Sequence, residues 1–584
     1  MNENDISKSQ NQKNVLHVII EKSSTFKNLG KKKNVFTLNE FILTKNEKKG
    51  LNHIFPFAKK TCQDSENLLL KTNNSKFEII KIIKNFYFFE NFQHLEELLE
   101  PFLEIKLSRF FYLYSVIPNY KKYILIIRKK NKSFYSKEEL ILAIDKLYSD
   151  SNKQDSEFFN YFSSPDQNWL NKFLMNIQKI LMKKIFKKCK IEFNFFSDKK
   201  AYFIEDLKKK FISKNNFVIY YSNTKSFPKI IRLILIQFLA FISFKDFKEV
   251  GIFLLSRNNM NNFTKFNKYI DHLRFSELNF KFSNYLLKQI YFYLMHTYSF
   301  KEDLNDLFKK SNIKNGFFHS VRFPDLFTFS RVLSDGNSKV FLISHGSHTI
   351  QKNKISDKYA AKSLATGLAY TMDKRISLLS QSLYCDDFLD SMKLKYYKIN
   401  RFIKNDSQDN ETSFKYKKKQ KLKILVIGTI KPLGARRYYV ESSSEFISNV
   451  ESIYSKLKKH KQKFKIILRI RDVKNEINRK ILNNAFESKS DLISIGNKES
   501  IYKEIQNSDC IISFSSTTLE EALFMKKPVM CYGFTGYNHL SFYEKDNQLE
   551  SKYLIDNKLK IIEQCLQRRF IFYNCNSRKI DYYF

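Results

Sequence analysis

Five short apolar runs recur between residues 423 and 532, and most are followed by a segment with helical spacing. That alternation constrains the fold more than any other feature. The runs are Lys423–Ile427, Phe464–Ile470, Leu492–Ile495, Cys510–Phe514 and Val529–Tyr532. Continuous apolar runs of this length suit strands buried on both faces. After the first run, Ser442 and Glu445 fit a capping box, and Phe446, Val450, Ile453, Tyr454 and Leu457 form one helical stripe. Strands alternating with helices over short connections predict a parallel, doubly wound sheet.

The chain has 584 residues, too many for one hydrophobic core. We expect an N-terminal α/β domain over 1–400, a polar, Lys-rich linker at 401–422, a C-terminal Rossmann-like domain over 423–570 and a tail at 571–584. The N-terminal part shows one early strand candidate, Val15–Ile20, then a mostly helical pattern rich in Phe and Tyr over about 75–315. The β/α pattern returns with Lys339–Ser344 and Ile376–Ser380. Residues 230–244 (IIRLILIQFLAFISF) are too short and too interrupted for a span. They read first as a buried helix, with a helix lying in a bilayer surface as the alternative.

Formal net charge is +43, which would ordinarily suggest a polyanionic partner. The 59 acidic residues are scattered among the 102 basic ones, however, so no segregated basic face marks a nucleic-acid binder. Peripheral contact with an anionic membrane is the milder expectation. Seven cysteines include no CxxC pair and no zinc spacing with His. They read as reduced thiols, and with the polar N-terminus they predict a cytoplasmic protein. No metal site or cofactor is expected.

Ligands of doubly wound sheets bind beyond the carboxyl ends of the strands. Nine of the twelve glycines lie after residue 315, where such loops need them. Four strand ends carry candidate chemistry. After the fourth run of the C-terminal part stand Ser515, Ser516, Thr517 and Thr518, then Glu520 and Glu521. Hydroxyls and free N–H groups at a helix start suit an anion, and a carboxylate one turn on suits vicinal hydroxyls. After the first run come Gly428, Thr429, Lys431, Gly434 and Arg436, suited to a phosphate. Arg469 and Arg471 end the second run on one strand face. In the N-terminal half, Ser344-His345-Gly346-Ser347-His348 follows an apolar run; a histidine there suits a general base, and Gly346 a close backbone approach.

The stretch NSDCIISFSSTTLEEALFMKKPVMCYG resembles the donor-site signature of GT-B-fold transferases and of the related non-hydrolysing UDP-N-acetylglucosamine 2-epimerases. The resemblance implies two Rossmann-like domains facing across a cleft, here with a large helical elaboration in the N-terminal half. It also implies that Ser515, Ser516 and Thr517 hold donor phosphate and that Glu521 holds the ribose. Ser-Thr stands where the epimerases have Gly-Gly, which looks more like the surface-polysaccharide transferases. Ser344-His345-Gly346 is similar to an element of CDP-glycerol glycerophosphotransferase-like enzymes, making His345 the implied base. That family's following Pro is replaced by His348. Arg469 and Arg471 match its Lys-x-His pair.

The expected function is therefore transfer of a sugar or polyol phosphate from a nucleotide-activated donor to a hydroxyl of a polysaccharide or lipid-linked acceptor. A nucleotide-sugar 2-epimerase is the enzymatic alternative, and a basic nucleic-acid-binding protein the non-enzymatic one.

Overall fold

The computed structural model describes residues 15–19, 34–37, 53–55, 62–86, 94–127, 130–151, 193–196, 218–221, 249–252, 263–308, 315–318, 324–343, 373–380, 393–398, 421–428, 443–458, 464–470, 485–496, 500–513 and 529–531, with single residues between them. Among these residues, three five-stranded sheets and one two-stranded sheet form.

The first sheet contains β1 (Val15–Ile19), β2 (Asn34–Thr37), β3 (His53–Phe55), β4 (Lys122–Ile127) and β5 (Lys130–Phe134). Their order is β3-β2-β1-β4-β5. All pairs are parallel except the β4–β5 hairpin. Helices α1 (Cys62–Lys84), α2 (Leu95–Val116) and α3 (Lys137–Ser151) come from the same stretch of chain. Leu16, Val18, Phe36 and Leu125 of the sheet share one core with Leu99, Phe102 and Leu103 of α2. Nearly all of α2 from Leu95 to Leu113 is buried, so its charged residues need partners inside the protein.

The second sheet runs β12-β11-β10-β9-β6 and is wholly parallel. Its strands are β6 (Phe193–Phe196), β9 (Asn315–Phe318), β10 (Lys339–Ile343), β11 (Ile376–Ser380) and β12 (Tyr396–Lys398). The pair β7 (Val218–Tyr221) and β8 (Glu249–Ile252) is also parallel. α4 (Phe263–Ile270) precedes the long α5 (Phe280–Phe308), and α6 (Pro324–Asp335) leads into β10. One half of α5 buries Phe282, Leu286 and Ile290 in the core of the first sheet. Farther along, Phe300 and Phe308 pack edge-on or tilted against Phe329 of α6. One helix thus serves both sheets.

The stretch expected to be mostly helical therefore holds β4 to β8. These are runs of four to six residues such as KYILII and VIYY, in a chain with 58 Phe and 33 Tyr. Against so aromatic a background, a short aromatic strand has no contrast. Leu235 and Phe238, expected inside a buried helix, are helical but 54 % and 47 % exposed. Because they lie three apart they share a helix face, and that face is not core.

The third sheet follows the sequence closely. β13 (Leu422–Gly428), β14 (Phe464–Ile470), β15 (Ile493–Ile495), β16 (Cys510–Ser513) and β17 (Val529–Cys531) are ordered β15-β14-β13-β16-β17, all parallel. α7 (Ser443–Leu457) lays Phe446, Val450, Ile453 and Leu457 on the sheet. The short α8 (Ile501–Gln506) is capped by Ser500, whose side chain accepts from the Lys503 N–H. No helix among the described residues is long and apolar enough to cross a membrane.

Candidate functional site

In the third sheet, β13 is the first strand in sequence and the middle one in space. β14 and β15 build outward on one side, β16 and β17 on the other. The winding direction reverses between β13 and β16, and a crevice opens beyond the carboxyl ends at such a point. Ile427 is in register with Ser513, and Gly428 with Ile470. The segments after Gly428, after Ile470 and after Ser513 therefore leave from three neighbouring strands at one sheet edge. Those segments carry most of the sequence-derived candidates.

Two side chains organise the strand ends. The buried Ser513 hydroxyl donates to the Ile427 carbonyl at 2.7 Å, tying β16 to β13 where the winding reverses. Gly428 is where α7 presses on the sheet, since a Cβ there would lie 2.8 Å from the Phe446 ring and 3.2 Å from Ile470 Cγ2. Its lack of a side chain is accounted for by packing, whatever the loop beyond it binds.

Arg469 has a partner within the protein. Its Nη1 lies 2.9 Å from Oε2 of Glu504 on α8, and both side chains are largely buried. Glu504 also fills the space over Gly496, where a Cβ would sit 2.6 Å from its Oε1. The Gly496 N–H donates to the Leu468 carbonyl at 2.8 Å. Arg469 thus pins α8 against the ends of β14 and β15. Its guanidinium charge is balanced by a carboxylate. Alternation along β14 places it on the less covered face of the strand, but the sequence carries no sign of Glu504 on a later helix.

The opposite, amino edge of this sheet is braced by Lys527, which donates to the carbonyls of Gln506 and Ser508, both at 2.8 Å. Burial pushes its ammonium below the ordinary lysine range, with the Asp509 charge opposing. Cations at the last carbonyls of a helix complement its dipole.

Thr518 is helical and half-buried, and Ala522 is buried in the same segment. The remaining candidates, Thr429, Lys431, Arg436, Arg471, Ser515, Ser516, Thr517 and Glu521, lie outside the described residues. So do His345, Gly346 and His348 in the N-terminal half. What is described is the strand ahead of them. β10 ends at Ile343, between the parallel β9 and β11, so His345 follows two residues beyond the carboxyl edge of the second sheet.

A dense ion network sits at the opposite, amino edge. Arg331 of α6 pairs with Asp373 and with Glu97 of α2. Arg375 donates to Asp373 at 2.8 Å and to Asp335 at 2.6 Å. Burial alone would raise the Asp373 carboxyl, but the Arg375 hydrogen bonds and the Arg331 charge lower it to about 2. Burial and Arg331 hold the nearby His94 imidazole below its usual range. This network joins the helices of the first sheet to the second, at the amino edge and not at the carboxyl edge where β10 ends.

The topology defines an α/β protein built on parallel, Rossmann-like sheets, the last with a well-formed switch point. No family model matches the chain, and no curated protein does either. Among solved structures it is similar to UDP-GlcNAc 2-epimerase from Neisseria meningitidis bound to UDP-GlcNAc, at 12 % identity and a TM-score of 0.33, over 65 % of this chain and 91 % of that one. It is also similar to α,α-trehalose 6-phosphate synthase from Burkholderia multivorans, at 9 % identity and a TM-score of 0.34, over 68 % and 93 %. The N-terminal domain of Candida albicans trehalose-6-phosphate phosphatase stands at 11 % and 0.36, over 68 % and 92 %. Likeness at this level carries no weight for the reaction, which is argued below from the chain's own residues.

Proposed function

We propose that the chain is a transferase, moving a sugar or polyol-phosphate group from a nucleotide-activated donor to a hydroxyl of a surface polysaccharide. One observation carries the reading. The switch point between β13 and β16 has a phosphate-suited sequence following each of its two strands. In this reading Ser515, Ser516, Thr517 and Thr518 meet the donor phosphates, and Glu521 accepts from the ribose hydroxyls. Lys431, Arg436 and Arg471 neutralise the leaving group. Arg469 acts at one remove, holding α8 through Glu504.

His345 takes the acceptor proton. The acceptor oxygen forms the new bond to the transferred group as the bond to the nucleotide breaks, and the electron pair leaves on the nucleotide phosphate. His348 is the second candidate for the base. Cations and backbone N–H groups supply the charge stabilisation, so the reading calls for no metal and no cofactor. The work would be done where nucleotide donors are made, in the cytoplasm.

A thermal-shift screen against CDP-, UDP-, GDP- and dTDP-linked donors tests the binding half. A hundredfold excess over Kd adds about 2.7 kcal/mol to stability. Release of free nucleotide only when acceptor is present marks a transferase. Interconversion of the donor sugar without release marks an epimerase instead. His345→Gln should lower turnover by about 10²–10⁴-fold and leave donor binding intact. In the parent enzyme, the rate should rise with pH through the histidine range and then level, because the neutral imidazole is the active base. Turnover indifferent to substitution at both His345 and His348 would remove the mechanism.

A further inference from the structure

The segment 167–190 (QNWLNKFLMNIQKILMKKIFKKCK) holds seven lysines and no Asp or Glu. Within it Phe173, Asn176, Ile177, Ile180, Leu181, Lys183 and Lys184 are helical. Phe173 and Ile180 are seven residues apart, hence on one helix face, and they are 54 % and 56 % exposed. Lys184 lies on the same face, four beyond Ile180, and is also exposed. Ile177 and Leu181, to one side, are half-buried and seat the helix on the protein. Lys183 leans the other way onto Asp306 of α5 at 2.7 Å, in a pair that stays open to solvent.

A soluble surface normally places its long apolar side chains singly. Here two large ones stand in line on an outward face within an acid-free, lysine-rich stretch. We infer that this helix is an interfacial anchor, which lays Phe173 and Ile180 into an anionic lipid bilayer while its lysines reach the headgroups. Apolar area and basic charge on one helix are the two ingredients of such binding, and the lysine stems can lie along the bilayer surface with their ammonium groups in the headgroup layer. Charge complementarity selects the occupant: a neutral protein groove would not call for seven lysines, and a nucleic acid would not call for an outward Phe and Ile. The inference is independent of the transfer reading, since it concerns a face of the chain and not its sheet edges.

The sequence supplies its own probe. The chain has one tryptophan, Trp169, four residues before Phe173. Full-length protein is titrated with vesicles of phosphatidylcholine alone and of phosphatidylcholine with about a third phosphatidylglycerol, and both Trp emission and co-sedimentation are read. The expected result is a blue shift and loss of acrylamide quenching with the anionic vesicles only. Phe173→Ser/Ile180→Ser, at exposed positions, should weaken partitioning about tenfold or more. Lys184→Glu should weaken it for anionic vesicles, and Tyr135→Ser, at another exposed aromatic, should not. Sedimentation with unchanged Trp emission, or partitioning that ignores the double substitution, overturns the proposal. So does a Trp response to RNA and not to vesicles.

Discussion

Ser513 donates its hydroxyl hydrogen to the carbonyl of Ile427 across 2.7 Å, joining the two strands between which the C-terminal sheet reverses its winding. The group is completely buried, so no water replaces the bond if it is removed. Ser513→Ala should destabilise the C-terminal unit by about 1 kcal/mol. Denaturant unfolding measures this directly. A larger drop in nucleotide affinity than in stability would show that the bond sets the spacing of the crevice and not only the cohesion of the sheet.

Arg469 and Arg471 look equivalent in the sequence, and the structure gives Arg469 a partner inside the protein, Glu504. Arg469→Ala removes the cation 2.9 Å from the largely buried Glu504 carboxylate beside Gly496. Breaking a buried pair by removing one partner costs about 3 kcal/mol or more. On the donor-site reading, Arg471→Ala should weaken donor binding more than it lowers stability. Equal stability losses for the two variants would contradict this division of labour.

The contrast shows how much the sequence discloses. Strands of the third sheet are buried on both faces and surrender their positions as unbroken apolar runs; Phe464–Ile470 is read to the residue. The parallel pairing there follows from the alternation with helices; the strand order does not. β2 and β3 are only four and three residues long, and β4 reaches β1 from a hundred residues away. Nothing local marks such pairing. At the candidate site the alternation of β14 gives the face of Arg469 but not its partner. Gly428 reads as a loop glycine, and only the geometry reveals that Phe446 occupies the space beside it.

Asp373 should make the junction between the first two sheets sensitive to acid. Its folded-state value of about 2 lies below the ordinary 3.8, so the folded protein favours the charged form. A depressed carboxylate stabilises fully above its unfolded value and loses that contribution as pH falls through the folded one. Asp373→Asn should therefore lower stability at neutral pH, with the difference from the parent shrinking between about pH 4 and pH 2. Melting curves collected over that range check it. A deficit unchanged down to pH 2 would mean that Arg331 and Arg375 contribute no net stabilisation through Asp373.

Asp145 of α3 is bound by two cations from α2, Lys106 at 2.5 Å and Arg109 at 2.9 Å, with all three side chains buried. Burial works against its charge, yet Lys106 and Arg109 outweigh burial and hold the carboxyl below its ordinary range. The Lys106 ammonium also lies 5.6 Å from the centre of the Tyr285 ring on α5. Three helices meet on one acid. Asp145→Asn leaves two buried cations with no anion between them, and should cost about 3–5 kcal/mol. Replacing the whole triad by apolar residues of similar volume removes the desolvation of all three charges along with their attraction, so Lys106→Met/Arg109→Met/Asp145→Leu should recover most of that loss. If the triple variant is as unstable as the single one, the triad contributes something beyond charge balance, such as a fixed register between α2 and α3. Unfolding measured with both variants distinguishes the two cases.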